Sequence, residues 1–171
     1  MSCRADAALS EWPVDRIRDA IPSDLPRVNT VIEAAVGTWN LPERVKRLAM
    51  PSYRYAADDL DHLSLRILLL GEAVVGVAAW EPADPGFSPP RSARAAMLLH
   101  GLYVSPVHHR QGHATRLLDD GIRRAREERY EGILVRAQAE AEGFFARQGF
   151  QRLPVQDPVR DYAARYWKTL A

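Results

Sequence analysis

The sequence predicts a mixed α/β domain, a single mixed sheet flanked by about four helices. Two observations carry that reading. The hydrophobic period changes along the chain, from helical spacing up to Ala49, to strand-like runs between Leu65 and Val104, and back to a long amphipathic helix. The 171 residues, 47% hydrophobic and 26% charged, suit one domain with enough buried surface for a core. Residues 1–13 are expected to be a flexible N-terminal tail, with one domain over 14–171.

The elements follow in order. Val14–Ala20 reads as a first strand. Ser23 is the expected N-cap of a helix carrying Leu25, Val28, Ile32 and Ala35 at helical spacing and ending near Gly37. Pro42 opens a second helix with Val45, Leu48 and Ala49 on one side, and Pro51 is expected to stop it. Leu65–Leu70, the pair Gly71-Glu72 and Ala73–Trp80 spell a hairpin, with glycine first in a two-residue turn as type II′ requires. The proline-rich run from Pro82 to Pro90 is an irregular loop. Ala95–Val104 is an apolar strand closed by Pro106. A helix then runs from Gly112 to about Arg129, with Ala114, Leu117, Leu118, Ile122 and Ala125 on its apolar face. On its polar face Asp119/Arg123 and Asp120/Arg124 are expected to pair. Ile133–Ala137 is a buried strand. A short helix with Ala141, Phe144 and Phe145 ends at Gly149, and Phe150–Leu153 and Ala163–Leu170 close the sheet. The order is β-α-α-β-β-β-α-β-α-β-β, mixed α/β around one sheet.

Composition excludes several classes. The 23 basic and 22 acidic residues leave a net charge of +1, with no basic stripe for nucleic acid or an anionic membrane. No apolar run approaches the ~20 residues that span a bilayer, and the N-terminus lacks a signal-peptide core, so a cytoplasmic location is expected. The single cysteine, Cys3, excludes an internal disulfide and a cysteine-based zinc site. Four histidines fall between His100 and His113, but no carboxylate near them in sequence completes a ligand set, and no metal is expected.

The chemistry concentrates in Leu102-Tyr103-Val104-Ser105-Pro106-Val107-His108-His109-Arg110-Gln111-Gly112-His113-Ala114-Thr115-Arg116-Leu117-Leu118. An apolar strand runs into a basic, glycine-containing loop that opens a helix. The first helical turn leaves N–H groups unpaired and the macrodipole adds partial positive charge, so this is an anion site. Gly112 and the small Ala114 allow a phosphate close to the backbone, and Arg110 adds charge. A P-loop needs a Gly-Lys pair, which is absent. A dinucleotide fold needs three spaced glycines near the start of a βαβ unit, where this chain has a lone Gly112 in mid-chain.

His109-Arg110-Gln111-Gly112-His113-Ala114, after Leu102-Tyr103-Val104, resembles motif A of the GNAT N-acetyltransferase superfamily. That motif reads Arg or Gln, two residues of any kind, Gly, one of any kind, then Gly or Ala. Downstream, Gln138-Ala139-Glu140-Ala141-Glu142-Gly143-Phe144-Phe145-Ala146-Arg147-Gln148-Gly149-Phe150 resembles the same family's Asn-x-x-Ala-x-x-Phe-Tyr-x-x-x-Gly-Phe. The likeness spans roughly Val14 to Leu170. It implies a GNAT-like acyl-CoA N-acyltransferase fold and an acyltransferase that moves an acetyl group from acetyl-CoA to a primary amine, on a small molecule or a peptide. Attack would be direct, within a ternary complex.

The resemblance implies cofactor contacts at Leu102, Tyr103, Val104, His109, Arg110, Gln111, Gly112, His113, Ala114, Thr115, Gln138, Phe144 and Phe145. Three positions depart from the pattern. His109 replaces Arg or Gln, Gln138 replaces Asn, and Phe145 stands where many members carry the Tyr that protonates the departing thiolate. Many members also hold a proton-accepting Glu at the position of Leu98. By strand alternation Leu98, His100, Leu102 and Val104 share one face, which makes His100 the candidate general base, against a core histidine satisfied by a backbone carbonyl. Tyr162 or Tyr166 would be substitute acids. Trp39, Tyr53, Tyr55 and Trp80, with Asp58, Asp59 and Asp61, are candidates for the amine side, core packing and a solvated acidic loop being the alternatives. The partner is an amine-bearing substrate; a homodimer is compatible with the sequence, and the acceptor and oligomeric state stay open. The alternative function is a catalytically weak CoA-binding sensor or partner protein.

Overall fold

The computed structural model describes residues 15–84, 96–159 and 164–170. Its elements are β1 (Arg16–Asp19), α1 (Leu25–Gly37), α2 (Glu43–Tyr53), β2 (Ser64–Leu70), β3 (Ala73–Pro82), β4 (Ala96–Val104), α3 (His113–Glu127), β5 (Gly132–Arg136), α4 (Glu142–Arg147), β6 (Gln151–Arg152) and β7 (Arg165–Thr169). This is the order that the change of period predicts. The expected tail with Cys3, residues 85–95 of the proline-rich segment and Tyr162 lie outside the described residues.

The strands form one sheet in the order β1-β2-β3-β4-β5-β7-β6. Among the described residues only β4 and β5 run parallel, and α3 is the crossover that parallel pairing requires. Strand alternation sends side chains to two cores. Leu68, Ala78, Leu99, Val104, Ile133 and Val135 meet Leu117, Leu118 and Ile122 of α3 and Phe145 of α4. On the opposite face Ile67, Leu69, Val77, Ala79 and Tyr103 meet Val28, Val31 and Ile32 of α1. At the hairpin Gly71 takes φ 59° while Glu72 does not go positive, in line with the type II′ turn. No helix among the described residues is long and apolar enough to cross a membrane.

Four local expectations are corrected. Ser23 does not cap α1; it lies inside a single 3-10 turn, Pro22–Asp24, and Asp24 precedes the helix. The buried Asp24 carboxylate accepts the Ile21 N–H at 2.9 Å and pairs with Arg18 at 2.6 Å, which holds its carboxyl at about 2. Pro51 does not stop α2, which runs on to Tyr53. Proline's fixed φ is helical, and in a last turn only the bond of its missing N–H is lost. The Val45/Leu48 side of α2 is not the buried one: these residues are 45% and 69% exposed. Lys46 is buried instead, because its ammonium donates to Gly37 O and Glu43 Oε1, each at 2.8 Å. Finally, Asp120 pairs with Arg66 and Arg123, each at 2.8 Å, rather than with Arg124. The buried Arg66 guanidinium needs a counter-charge where α3 crosses β2, so tertiary contact overrides the local i,i+4 pair. Arg124 reaches Ser64 Oγ at 2.7 Å, and Arg123 reaches Glu127 at 2.8 Å, leaving Asp119 outside this network.

Candidate active site

The site is built where β4 and β5 part. They pair only from Ala96↔Gly132 to Leu99↔Val135. Beyond that, β4 continues to Val104 along β3, while β5 continues to Arg136 along β7. Among the described residues, one backbone edge of residues 100–104 is therefore without a neighbouring strand.

A β-bulge sits at the parting. Trp80 faces Leu99 and Ala79 faces Gly101, so His100 is the extra residue. The bulge slips the alternation by one, and this corrects the expected common face of Leu98, His100, Leu102 and Val104. Leu102 and Val104 pack into the α3 core together with Leu99. Leu98 packs elsewhere, with Ala96 and Leu134. His100 is exposed, not the core histidine of the alternative reading; its ring lies 6.1 Å from that of Tyr55 and its Nδ1 is 3.0 Å from Glu81 Oε1.

At the far end of the same edge, the loop after β4 turns into α3. Arg110 and Gly112 are both left-handed, with φ 60° and 81°. For arginine that conformation costs about 1–2 kcal/mol, whereas glycine adopts it without a side-chain clash. No side chain caps α3, so the N–H groups of its first turn face outward with the positive end of the macrodipole behind them. A β-carbon added at Gly112 would meet no protein atom within 4 Å. Backbone donors with room in front of them suit a phosphate.

The side chains of this loop behave less uniformly than the motif suggests. Arg110 is exposed, with no partner among the described residues. His109 turns back, and its Nε2 donates to Val104 O at 2.9 Å, tying the loop to the strand end. Gln111 is exposed, and its amide stands 3.4 Å from Val107 O. His113 is buried, with neither ring nitrogen hydrogen-bonded among the described residues and the His108 ring 6.0 Å away. Burial lowers its pKa, so the imidazole is neutral and His113 offers the site its backbone N–H alone. Thr115 Oγ1 accepts from Gln148 Nε2 at 3.2 Å, which links α3 to the end of α4.

The remaining expected residues are spread further. Leu102 is half-buried, and Tyr103 and Val104 are buried on the unpaired part of β4. Gln138 is exposed just past β5, and Phe144 is half-buried on α4. Phe145 is 4% exposed and stacks on Tyr166 at 5.7 Å, with Phe150 edge-on at 5.4 Å. The Tyr166 hydroxyl is buried without a hydrogen-bond partner among the described residues.

On the α1 face an aromatic group flanks the bulge. Trp39 meets Tyr53 edge-on at 5.3 Å and stacks on Tyr103 at 6.4 Å. A β-carbon at Gly101 would lie 2.6 Å from Tyr103 and 2.8 Å from the Tyr55 hydroxyl, so the rings close over the strand there. Burial raises both tyrosine hydroxyls, that of Tyr103 to about 12. Asp59 caps its own 3-10 turn through Ala56 N at 2.6 Å, while Asp58 and Asp61 are exposed. Trp80 leaves the candidate list: it is buried on the opposite face. Glu81 was not among the expected site residues; its sequence signal is a lone charge at the end of an apolar strand. Among the described residues no group of three or more His, Cys, Asp or Glu could hold a metal ion.

A family model, acetyltransferase (GNAT) domain, matches residues 67–162. No curated protein matches the sequence. Solved structures do match. A GNAT family acetyltransferase from Brucella melitensis in complex with acetyl-CoA superposes with a TM-score of 0.63 at 17% identity, covering 93% of this chain and 90% of that one. The PaiA N-acetyltransferase from Thermoplasma acidophilum, in complex with coenzyme A, gives 0.71 at 12% identity, covering 91% and 99%. The ribosomal-protein-S18-alanine N-acetyltransferase from Escherichia coli gives 0.62 at 16%, covering 92% and 95%. At these identities the structures attest the fold.

Proposed function

Since the chain belongs to the GNAT acetyltransferase family and is therefore an acyltransferase, we propose that it moves an acetyl group from acetyl-CoA to a primary amine, with His100 as the general base. The observation that carries the reading is the unpaired edge of β4 running directly into the uncapped start of α3. Two of the similar structures hold acetyl-CoA or coenzyme A.

The residues fit such a co-substrate. The backbone of Leu102, Tyr103 and Val104 would pair with its amide-bearing arm, as a strand would. The N–H groups from Gln111 to Thr115 would take the pyrophosphate, with the Arg110 guanidinium beside it. The thioester supplies an activated acetyl carbonyl, and a backbone N–H near Leu102 would stabilise negative charge on its oxygen. An alkylammonium has no lone pair, so it must lose a proton before it can attack, and His100 is exposed at the bulge to take it. A thiol of ordinary pKa near ~8.5 departs as thiolate without help. The buried Tyr166 hydroxyl, stacked beside Phe145, is also next to the position where the family carries its own acid.

The test is acetyl-CoA consumption against 2-phenylethylamine, spermidine, lysine and an alanine-terminated peptide, with the acetylated product identified by mass spectrometry. Turnover of one of them, reduced roughly ten-fold or more by His100→Ala, supports the reading. Binding of coenzyme A with no product from any of the four overturns it in favour of a binding protein.

A further inference from the structure

β3 carries one charged side chain, Glu81, and β4 carries one imidazole, His100. The fold brings the two together. Glu81 pairs across the ladder with Leu98, so its side chain leaves the sheet on the face that His100, two residues further along, shares with Leu98. The bulge then aims the ring toward Tyr55 and sets Nδ1 3.0 Å from Glu81 Oε1. Both side chains are part-exposed, at 42% for His100 and 31% for Glu81, so the imidazole keeps one side toward solvent. An ionised carboxylate can only accept hydrogen bonds, so the hydrogen of the neutral ring must sit on Nδ1, and the lone pair is left on Nε2.

We propose that Glu81 is a positioning residue for acetyl transfer: it anchors the His100 ring and selects the tautomer that presents a bare Nε2 to the incoming ammonium. The proposal rests on the assignment of His100 as base. In the step, an N–H bond of the ammonium breaks and its proton bonds to Nε2. The electron pair left on nitrogen forms the bond to the acetyl carbon as the C–S bond breaks toward sulfur, and the second proton lost from nitrogen goes to the departing thiolate or to solvent. Glu81 stays ionised beside the new imidazolium, which hands its proton to solvent. Besides Glu81 on β3, the titratable group seen against the His100 ring among the described residues is Tyr55, on which Tyr103, Asp59 and Glu81 act in turn. Burial raises the hydroxyls of Tyr55 and Tyr103, so both keep their protons at neutral pH, and Glu81 is the carboxylate within hydrogen-bond reach of the ring.

Two measurements decide it. In the full chain labelled with 15N-histidine, the ring signals of His100 are assigned by their loss in His100→Gln. They are expected to show a protonated Nδ1 and a bare Nε2 at pH 8, and Glu81→Leu should shift the ring toward the Nε2–H form that free imidazoles prefer. A wild-type ring already in the Nε2–H form, or one unmoved by Glu81→Leu, overturns the proposal whether or not an acceptor is known. The second measurement is a double-mutant cycle with whichever of the four amines is acetylated. Glu81→Leu alone should lower kcat roughly ten-fold with Tm unchanged, yet add nothing in the His100→Ala background. Fully additive losses overturn the proposal while leaving His100 as base. An unaffected His100→Ala variant overturns the base assignment itself, and a chain that acetylates no amine fails the proposed function, with the ring tautomer still read by NMR.

Discussion

Leu99 and Val135 are the last residues at which β4 and β5 pair. One residue beyond Leu99 the ladder to β3 absorbs His100 as a bulge, and beyond Val135 β5 follows β7 instead. A sheet that opens at that point exposes hydrogen-bonding backbone next to an ionisable side chain. The bulge and the parting together leave backbone donors and acceptors with which an extended ligand could pair.

Gly112 is the position at which a single side chain should separate binding from folding. At φ 81° any other residue is strained, but an added β-carbon meets no protein atom. Gly112→Val should lower Tm by a few degrees, corresponding to the ~1–2 kcal/mol of a left-handed non-glycine residue. It should also abolish the rise in Tm that coenzyme A produces in the parent. A variant stabilised by coenzyme A as strongly as the parent would move the phosphate site elsewhere.

His113 links pH to stability with a definite sign. Its folded pKa is lowered by burial, so below the ordinary value of ~6.5 the unfolded chain binds the extra proton. Stability should therefore fall as pH drops below about 6.5, until the folded pKa is passed. Asp15 opposes this shift, while Arg116 and His108 add to it. His113→Leu should flatten that part of a Tm–pH curve and hold or raise Tm at pH 8, because two unpaired buried nitrogens are removed. Parallel curves for parent and variant would show that the imidazole is hydrated rather than buried.

Gly121 of α3 lies against the indole of Trp80, and a β-carbon there would stand 2.0 Å from Cζ2. Gly121→Ala should push the helix off the sheet and cost roughly 1–3 kcal/mol, seen as a fall in Tm. Trp80→Phe in the same chain should recover part of the loss. An unchanged Tm for Gly121→Ala alone would contradict this packing.

Phe145→Tyr tests where that ring points. The ring is held between Tyr166 and Phe150, so a hydroxyl buried among those rings should cost on the order of 1–3 kcal/mol with no gain in kcat. A higher kcat at unchanged Tm would show instead that position 145 reaches the leaving sulfur.

Local signals were legible in the sequence and long-range ones were not. Periodicity recovers the order of strands and helices, and the glycines read as punctuation, Gly71, Gly112 and Gly149, do take positive φ. The proposed phosphate loop is legible because glycine, helix start and strand end lie within a dozen residues. The bulge at His100 is not, since it depends on how β3 and β4 register, and it puts Leu102 and Val104 on the face opposite to that expected. Arg66 and Asp120 are 54 residues apart, so nothing local competes visibly with the i,i+4 pair that their contact replaces. Trp80 reads equally well as pocket or core until Gly121 is found beneath it.

The most direct test of the central claim is a backbone-amide NMR titration of the chain with coenzyme A. Saturable binding should produce the largest shifts at Gly112, His113, Ala114 and Thr115 and along His100–Val104, with small changes on α1 and β1. No binding, or binding whose largest shifts fall outside the α3 start and the unpaired edge of β4, would contradict the account.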